Sequence, residues 1–180
     1  GDGLRWNVLD RTQTATHPLW ILLLAAVRVS LYLFSTTTTV VLVRHAEKAP
    51  PESGPDPVLS AEGQERALRL ARLLGEADVA AVYASDTRRA QLTASPLAAR
   101  LGVTVTTRAG NDVEGLLDDI GEHHQGERVV VIGHSNTVPA LVEQLTRGRA
   151  EVTISDDEFD AVYVVTVTRF GPASVLRLRY

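Results

Sequence analysis

Two histidines in this chain stand at comparable places. His45 follows the apolar run "TVVLV" with Arg44 directly before it, and His134 follows "RVVVIG". A third apolar run, "VAAVYAS" (79–85), leads into Asp86, Thr87, Arg88 and Arg89. Imidazoles and guanidinium forks, with no cysteine and no cage of carboxylates, suit a dianionic phosphoryl group, which arginine grips bidentately. A histidine in such a setting can attack phosphorus and carry the group covalently, splitting one hard displacement into two easier ones. The remaining cations would spread charge from the transferring oxygens. Each residue alone has a plainer role open to it. Arg44 could end a strand, His134 could be a satisfied polar residue, and Arg88 or Arg89 could be solvated on a helix. Three strand ends with the same chemistry make coincidence the poorer explanation.

For these residues to meet, the three runs must be parallel strands of one sheet, because ligands bind such sheets beyond the carboxyl ends of the strands. The pattern along the chain supports this. "TVVLV" (39–43) and "RVVVIG" (128–133) are continuous apolar runs, as in strands buried on both faces. After the proline-rich loop 49–57, Ser60 is placed to cap a helix whose face is Ala67, Leu70, Ala71 and Leu74. Ala90, Ala94, Leu97, Ala98 and Leu101 mark a second helix that Gly102 closes, and "VTVTT" (103–107) reads as a strand. Val113, Leu116, Leu117 and Ile120 mark a third helix, and Val138, Leu141, Val142 and Leu145 a fourth. "AVYVVTVTRF" (161–170) and "ASVLRLRY" (173–180) alternate around Gly171-Pro172 and predict an antiparallel hairpin. The expected architecture is α/β, a three-layer α/β/α sandwich with a mostly parallel sheet. The helix opening after His134 would add backbone donors for an anion. The acidic run "SDDEFD" (155–160) reads as a solvated loop that starts a strand.

The chain has 180 residues, 44% of them hydrophobic, and a net charge of −4, which suits one domain with a real core. No basic stripe interleaved with aromatics is present, so nucleic acid is not expected as a partner. The absence of cysteine excludes disulfides and a thiolate nucleophile. His123 and His124 are adjacent and cannot face one site on a helix, so no metal and no cofactor are expected. Residues 1–38 read as an N-terminal leader and 39–180 as the folded domain, with "STTTT" as a short linker. With no methionine, the first residue is not an initiator, and the reading is of a processed or trimmed chain. The leader holds the apolar stretch 18–34. It reads as a signal, a membrane tether or a packed helix, and the expectation inclines to export or membrane association. Against this, a membrane span needs about 20 apolar residues, Arg28 lies mid-stretch, and no A-x-A cleavage site follows.

"LVRHAEK", "LSAEGQERA", "YASDTRRAQLTA" and "VVVIGHSNT" resemble, in order, the motifs of the histidine phosphatase superfamily, the phosphoglycerate mutase-like fold, in its small phosphatase branch. The resemblance covers residues 39–180. It implies His45 as nucleophile and Arg44, Arg89 and His134 as phosphate holders, with His134 also counted in the catalytic set. Arg89 is preferred to Arg88 because it directly precedes "AQLTA". Ala46 stands where the family has glycine. The family's carboxyl proton donor is implied at Asp112, with Glu114 and Glu47 as alternatives. The expected function is hydrolysis of a phosphomonoester through a phosphohistidine, on a small phosphorylated substrate or a phosphoprotein. Mutase-type transfer is the alternative. Only 44 residues (90–133) separate Arg89 from His134, which leaves little chain for a lid. A non-catalytic phosphate-binding module is a further alternative. A serine esterase using Ser135 in "GHSNT" ranks last, because no histidine follows His134.

Overall fold

The computed structural model describes residues 19–35, 37–50, 54–169 and 171–180. Two compact units divide the chain, residues 1–33 and 34–180. The leader reading of residues 1–18, including His17, lies outside the described residues. Within the leader, α1 (Leu19–Ser35) is a 17-residue helix. Trp20, Leu22, Leu23 and Val29 are exposed on it. Among the described residues no helix is long and apolar enough to cross a membrane.

The second unit alternates strand and helix as the periodicity predicts. β1 (Thr37–Arg44), α2 (Ala61–Leu74), β2 (Ala81–Ser85), α3 (Arg88–Leu101), β3 (Val105–Arg108), α4 (Val113–His123), β4 (Arg128–Gly133) and α5 (Thr137–Leu145) follow one another, then β5 (Ala161–Thr168) and β6 (Ser174–Arg179). They form one six-stranded sheet in the order β3-β2-β4-β1-β5-β6. β1, β4, β2 and β3 are mutually parallel; β5 runs antiparallel to β1, and β6 to β5. Thr37 and Thr38, read as linker, are part of β1, where they pair with Thr168 and Val167 of β5. The β-branched threonines suit a half-buried strand, and the alternative of a flexible tether would leave β5 unpaired there.

Alternation along each central strand feeds two cores. Val41 and Val43 join Val82, Ala84, Val130 and Ile132 under Leu70, Ala71 and Leu74 of α2 and Ala90, Ala94, Leu97 and Ala98 of α3. Val40 and Leu42 join Tyr83, Val129, Val131 and Tyr163 against Leu116 and Ile120 of α4 and Val138, Leu141 and Val142 of α5. Both faces of β1 and β4 are therefore covered, which is why their sequences are continuous apolar runs. Ser60 caps α2 through a hydrogen bond from the Gly63 N–H to its hydroxyl, 3.1 Å. Gly63 is required there for a second reason. A Cβ at this position would collide with the carbonyl oxygen of Glu47, so α2 lies directly on the chain leaving β1.

Candidate active site

The carboxyl ends of four parallel strands open on one edge of the sheet, and the sequence-predicted residues meet there. Arg44 ends β1, and the His45 N–H donates to the Gly133 carbonyl of β4 at 2.9 Å, which continues the ladder one residue beyond the strand. His45 and His134 stand with ring centroids 5.2 Å apart at 64°. Arg89, in the first turn of α3, donates from Nε to His45 Nε2 at 3.2 Å. Arg88 is exposed. Arg44, His45, Arg89, His134, Lys48, Asn111, Ser135 and Asn136 line one open hollow of about 420 Å³.

The hydrogen bonds fix which His45 nitrogen holds the lone pair. His45 Nδ1 lies 2.8 Å from the Ala46 carbonyl, which only accepts, so Nδ1 carries the proton. Nε2 then holds the lone pair, and the Arg89 N–H points at it. His45 is only 5% exposed. Burial pushes its imidazole down to about 4, with His134, Arg89 and Arg44 acting in the same direction. The ring is therefore neutral at ordinary pH, the state a nucleophile needs. Burial, then Arg89, also lowers His134. Its Nε2 lies 2.8 Å from the hydroxyl of buried Ser85 at the end of β2.

Local structure holds these groups in place. Thr93 of α3 accepts from the Ala46 N–H at 3.0 Å and donates to the Arg89 carbonyl at 2.7 Å, tying the loop that carries His45 to the helix that carries Arg89. Ala46 is fully buried, and its backbone is not left-handed, so the methyl where the family has glycine brings no backbone strain. Gly133 lets α5 approach, because a Cβ there would stand 2.8 Å from Thr137 Oγ1 and 3.2 Å from Val138 Cγ2. The same Thr137 hydroxyl accepts from the His134 N–H at 2.9 Å.

The carboxyl candidates are placed differently. Asp112 is exposed at the start of α4, where its carboxylate accepts from the Gly115 N–H at 3.0 Å. It lines a neighbouring, largely apolar cavity of about 20 Å³, and the hollow beside His45 is lined by Gly110 and Asn111 from that loop instead. Glu114 is exposed in the first turn of α4. Glu47 is gripped by Arg66, with Nε to both carboxylate oxygens at 2.7 and 2.9 Å and Nη2 at 2.5 Å. Burial alone would raise Glu47, but the Arg66 hydrogen bonds outweigh it and hold the carboxyl below its ordinary value.

Four neighbours escaped the sequence reading. Ser85 was seen only as the end of a strand. Asp56, in the proline-rich loop, accepts from the Arg88 N–H at 3.0 Å and from Arg89 Nη1 at 3.4 Å. It satisfies a donor at the start of α3, where Thr87 makes no side-chain cap. Residues 51–53 of that loop lie outside the described residues. Asp156 lines the hollow, and Phe159 stacks on Arg44 with its ring centroid 4.1 Å from the guanidinium carbon. The only available signal was a lone aromatic within an acidic run.

His123 and His124 end α4, away from the hollow; His124 pairs with Glu127 at 2.8 Å. Among the described residues no group of three or more histidines and acids is placed to hold a metal ion. Ser135 lines the hollow but makes no hydrogen bond to either histidine there.

The fold has counterparts among solved structures. The protein histidine phosphatase SixA complexed with tungstate superposes with a TM-score of 0.64 at 19% identity, over 78% of this chain and 96% of that one. A mycobacterial glucosyl-3-phosphoglycerate phosphatase gives 0.60 at 14%, over 77% and 97%. A structure described as mycobacterial hydrolase 1 gives 0.64 at 15%, over 80% and 99%. The fold is that of the histidine phosphatases. The model of the histidine phosphatase superfamily (branch 1) matches residues 40–112, from β1 to the cap of α4. The resemblance read from the motifs is thus met independently over the first half of the domain. Comparison with curated proteins finds no match. Parallel strand ends bring Arg44, His45 and His134 to one edge, and the first turn of α3 adds Arg89 there.

Proposed function

We propose that this chain is a metal-independent phosphatase that works through a phosphohistidine on His45. One observation carries the reading: a neutral, buried imidazole whose Nε2 lone pair faces a hollow lined by Arg44, Arg89 and His134. The Arg89 N–H is directed at that lone pair. An arriving phosphoryl group offers oxygens that are better acceptors, so Arg89 turns to them and frees Nε2. Nε2 then forms a bond to phosphorus as the bond to the leaving atom breaks, and the leaving group departs with the bonding pair and picks up a proton. Water attacks the phosphohistidine, the N–P bond breaks, the electron pair returns to Nε2, and inorganic phosphate leaves. Arg44, Arg89 and His134 hold the equatorial oxygens through both steps.

Hydrolysis is favoured over mutase transfer because α3, β3, α4 and β4 consume the segment between Arg89 and His134, leaving short connections and no lid. A substrate reading follows from the carboxyl groups. None of the expected donors lines the hollow: Asp112 caps α4, Glu47 is held by Arg66 and Glu114 is exposed on α4. With those three placed elsewhere, the open hollow suits a leaving group that is easily protonated, such as the imidazole of a protein phosphohistidine, and Asp156 is the carboxyl residue in its lining. SixA, named as a protein histidine phosphatase, is a neighbour of that kind. The test is a panel of phosphomonoesters and a histidine-phosphorylated protein, assayed with and without chelator. Turnover that persists in chelator and vanishes in His45→Ala is expected. Unchanged turnover in that variant would refute the proposal.

A further inference from the structure

The acidic run 155–160 does more than join α5 to β5. Arg44 Nη1 donates to three of its backbone carbonyls, Ser155 at 2.8 Å, Asp156 at 3.0 Å and Glu158 at 2.9 Å. The guanidinium carbon lies over the Phe159 ring, 4.1 Å from its centroid. The same ring meets the His45 imidazole at 6.1 Å and 53°. Arg44 Nε is buried without a partner. With Nη1 spent and Nε shielded, Nη2 is the nitrogen left for the hollow that Arg44 lines. The base of the run is itself fastened to β6: Glu158 pairs with Arg177, and Asp160 with Arg179 at 3.1 Å.

We infer that the turn Ser155–Phe159 aims Arg44, and that Phe159 is the positioning residue for Arg44 and His45. This inference rests on the phosphate-binding reading of the hollow. An arginine tethered only by its stem samples many rotamers and must be ordered when the anion arrives. Here the carbonyls fix one edge of the guanidinium, and the ring fixes the tilt of its plane by cation–π attraction. Arg44 then contacts the phosphoryl group through one preset nitrogen, and Arg89, which must turn away from His45, supplies the mobile contact. Phe159 touches no reacting atom; it acts through its two neighbours. The antiparallel sense of β5 makes this arrangement available, because the turn that enters β5 lies at the edge where β1 ends.

The test is a double-substitution cycle read by inorganic phosphate binding and by steady-state kinetics. Phe159→Leu keeps an apolar side chain and removes the ring face, and Phe159→Tyr keeps the face. We expect Phe159→Leu to weaken phosphate binding roughly tenfold and to lower kcat, with Phe159→Tyr within about twofold of the parent. In an Arg44→Ala background, Phe159→Leu should change binding less than twofold. Equal losses in both backgrounds, or no loss in the parent background, would overturn the inference. A readout independent of phosphate is hindered rotation of the Arg44 guanidinium, seen by nitrogen NMR. It should persist in the parent and in Phe159→Tyr and be lost in Phe159→Leu; free rotation in the parent, or unchanged hindrance in Phe159→Leu, refutes the positioning role. Hindered rotation in a parent that binds no phosphate would leave the aiming device standing and refute the function proposed for the site.

Discussion

His45 is defined by what its two nitrogens touch. The Ala46 carbonyl fixes the proton on Nδ1, and burial keeps the ring neutral by pushing it down to about 4. The free enzyme should therefore lose kcat/KM only as pH falls through about 4, once substrate ionisation is allowed for. A bound dianion favours the imidazolium, so the acid limb of kcat should lie at higher pH than that of kcat/KM. Coincident limbs near the ordinary histidine value would contradict the burial argument. The same shift links to stability. The unfolded chain protonates His45 below about pH 6.5 and the native state only below about 4, so the stability is complete above 6.5 and is lost as pH falls from there through 4. The loss should total about 3 kcal/mol, measured as the difference between the parent and His45→Asn in urea titrations across that window. At His134, the partner is Ser85 at 2.8 Å. Ser85→Ala should lower kcat roughly tenfold, the worth of one such hydrogen bond, and leave the thermal midpoint little changed.

At the level of elements, two contacts hold the loop that carries His45. Thr93 bridges Ala46 and Arg89 from inside α3, fully buried. Thr93→Val leaves the Ala46 N–H buried without an acceptor and should cost about 1–3 kcal/mol in chemical denaturation. Gly63→Ala should be worse than its size suggests, because the added methyl meets the Glu47 carbonyl. It should reduce activity as well as the melting temperature, since the displaced chain carries His45. Much of this level was legible. Ser60, Gly102 and the apolar spacings mark the helices, and "RVVVIG" matches β4 residue for residue. What was not legible depends on side chains pairing across the fold. Glu47 is conspicuous beside His45, yet its role is set by Arg66, nineteen positions later on α2. Asp112 sits where a donor was expected, but a helix needs a cap there first. No local pattern could rank those competing uses.

Over the whole molecule, strand order assembles the candidate site. Placing β1 between β4 and β5 sets Arg44 and His45 beside His134 on one side and beside the turn preceding β5 on the other. The parallel ends were foreseen from three apolar runs. The contribution of the antiparallel strand was not, because the acidic side chains of 155–160 signal solvent while its backbone carbonyls face Arg44. Leu42 lies at the centre of this arrangement, fully buried between sheet and helices. Leu42→Ala should cost about 2–5 kcal/mol and weaken activity with stability rather than independently of it. The central claim concerns one bond, between phosphorus and His45 Nε2. Mass spectrometry of enzyme quenched during turnover with a phosphohistidine or phosphomonoester substrate should locate an acid-labile phosphate on His45. Phosphate on Ser135, or steady turnover with no phosphorylated His45 at any quench time, would contradict the account.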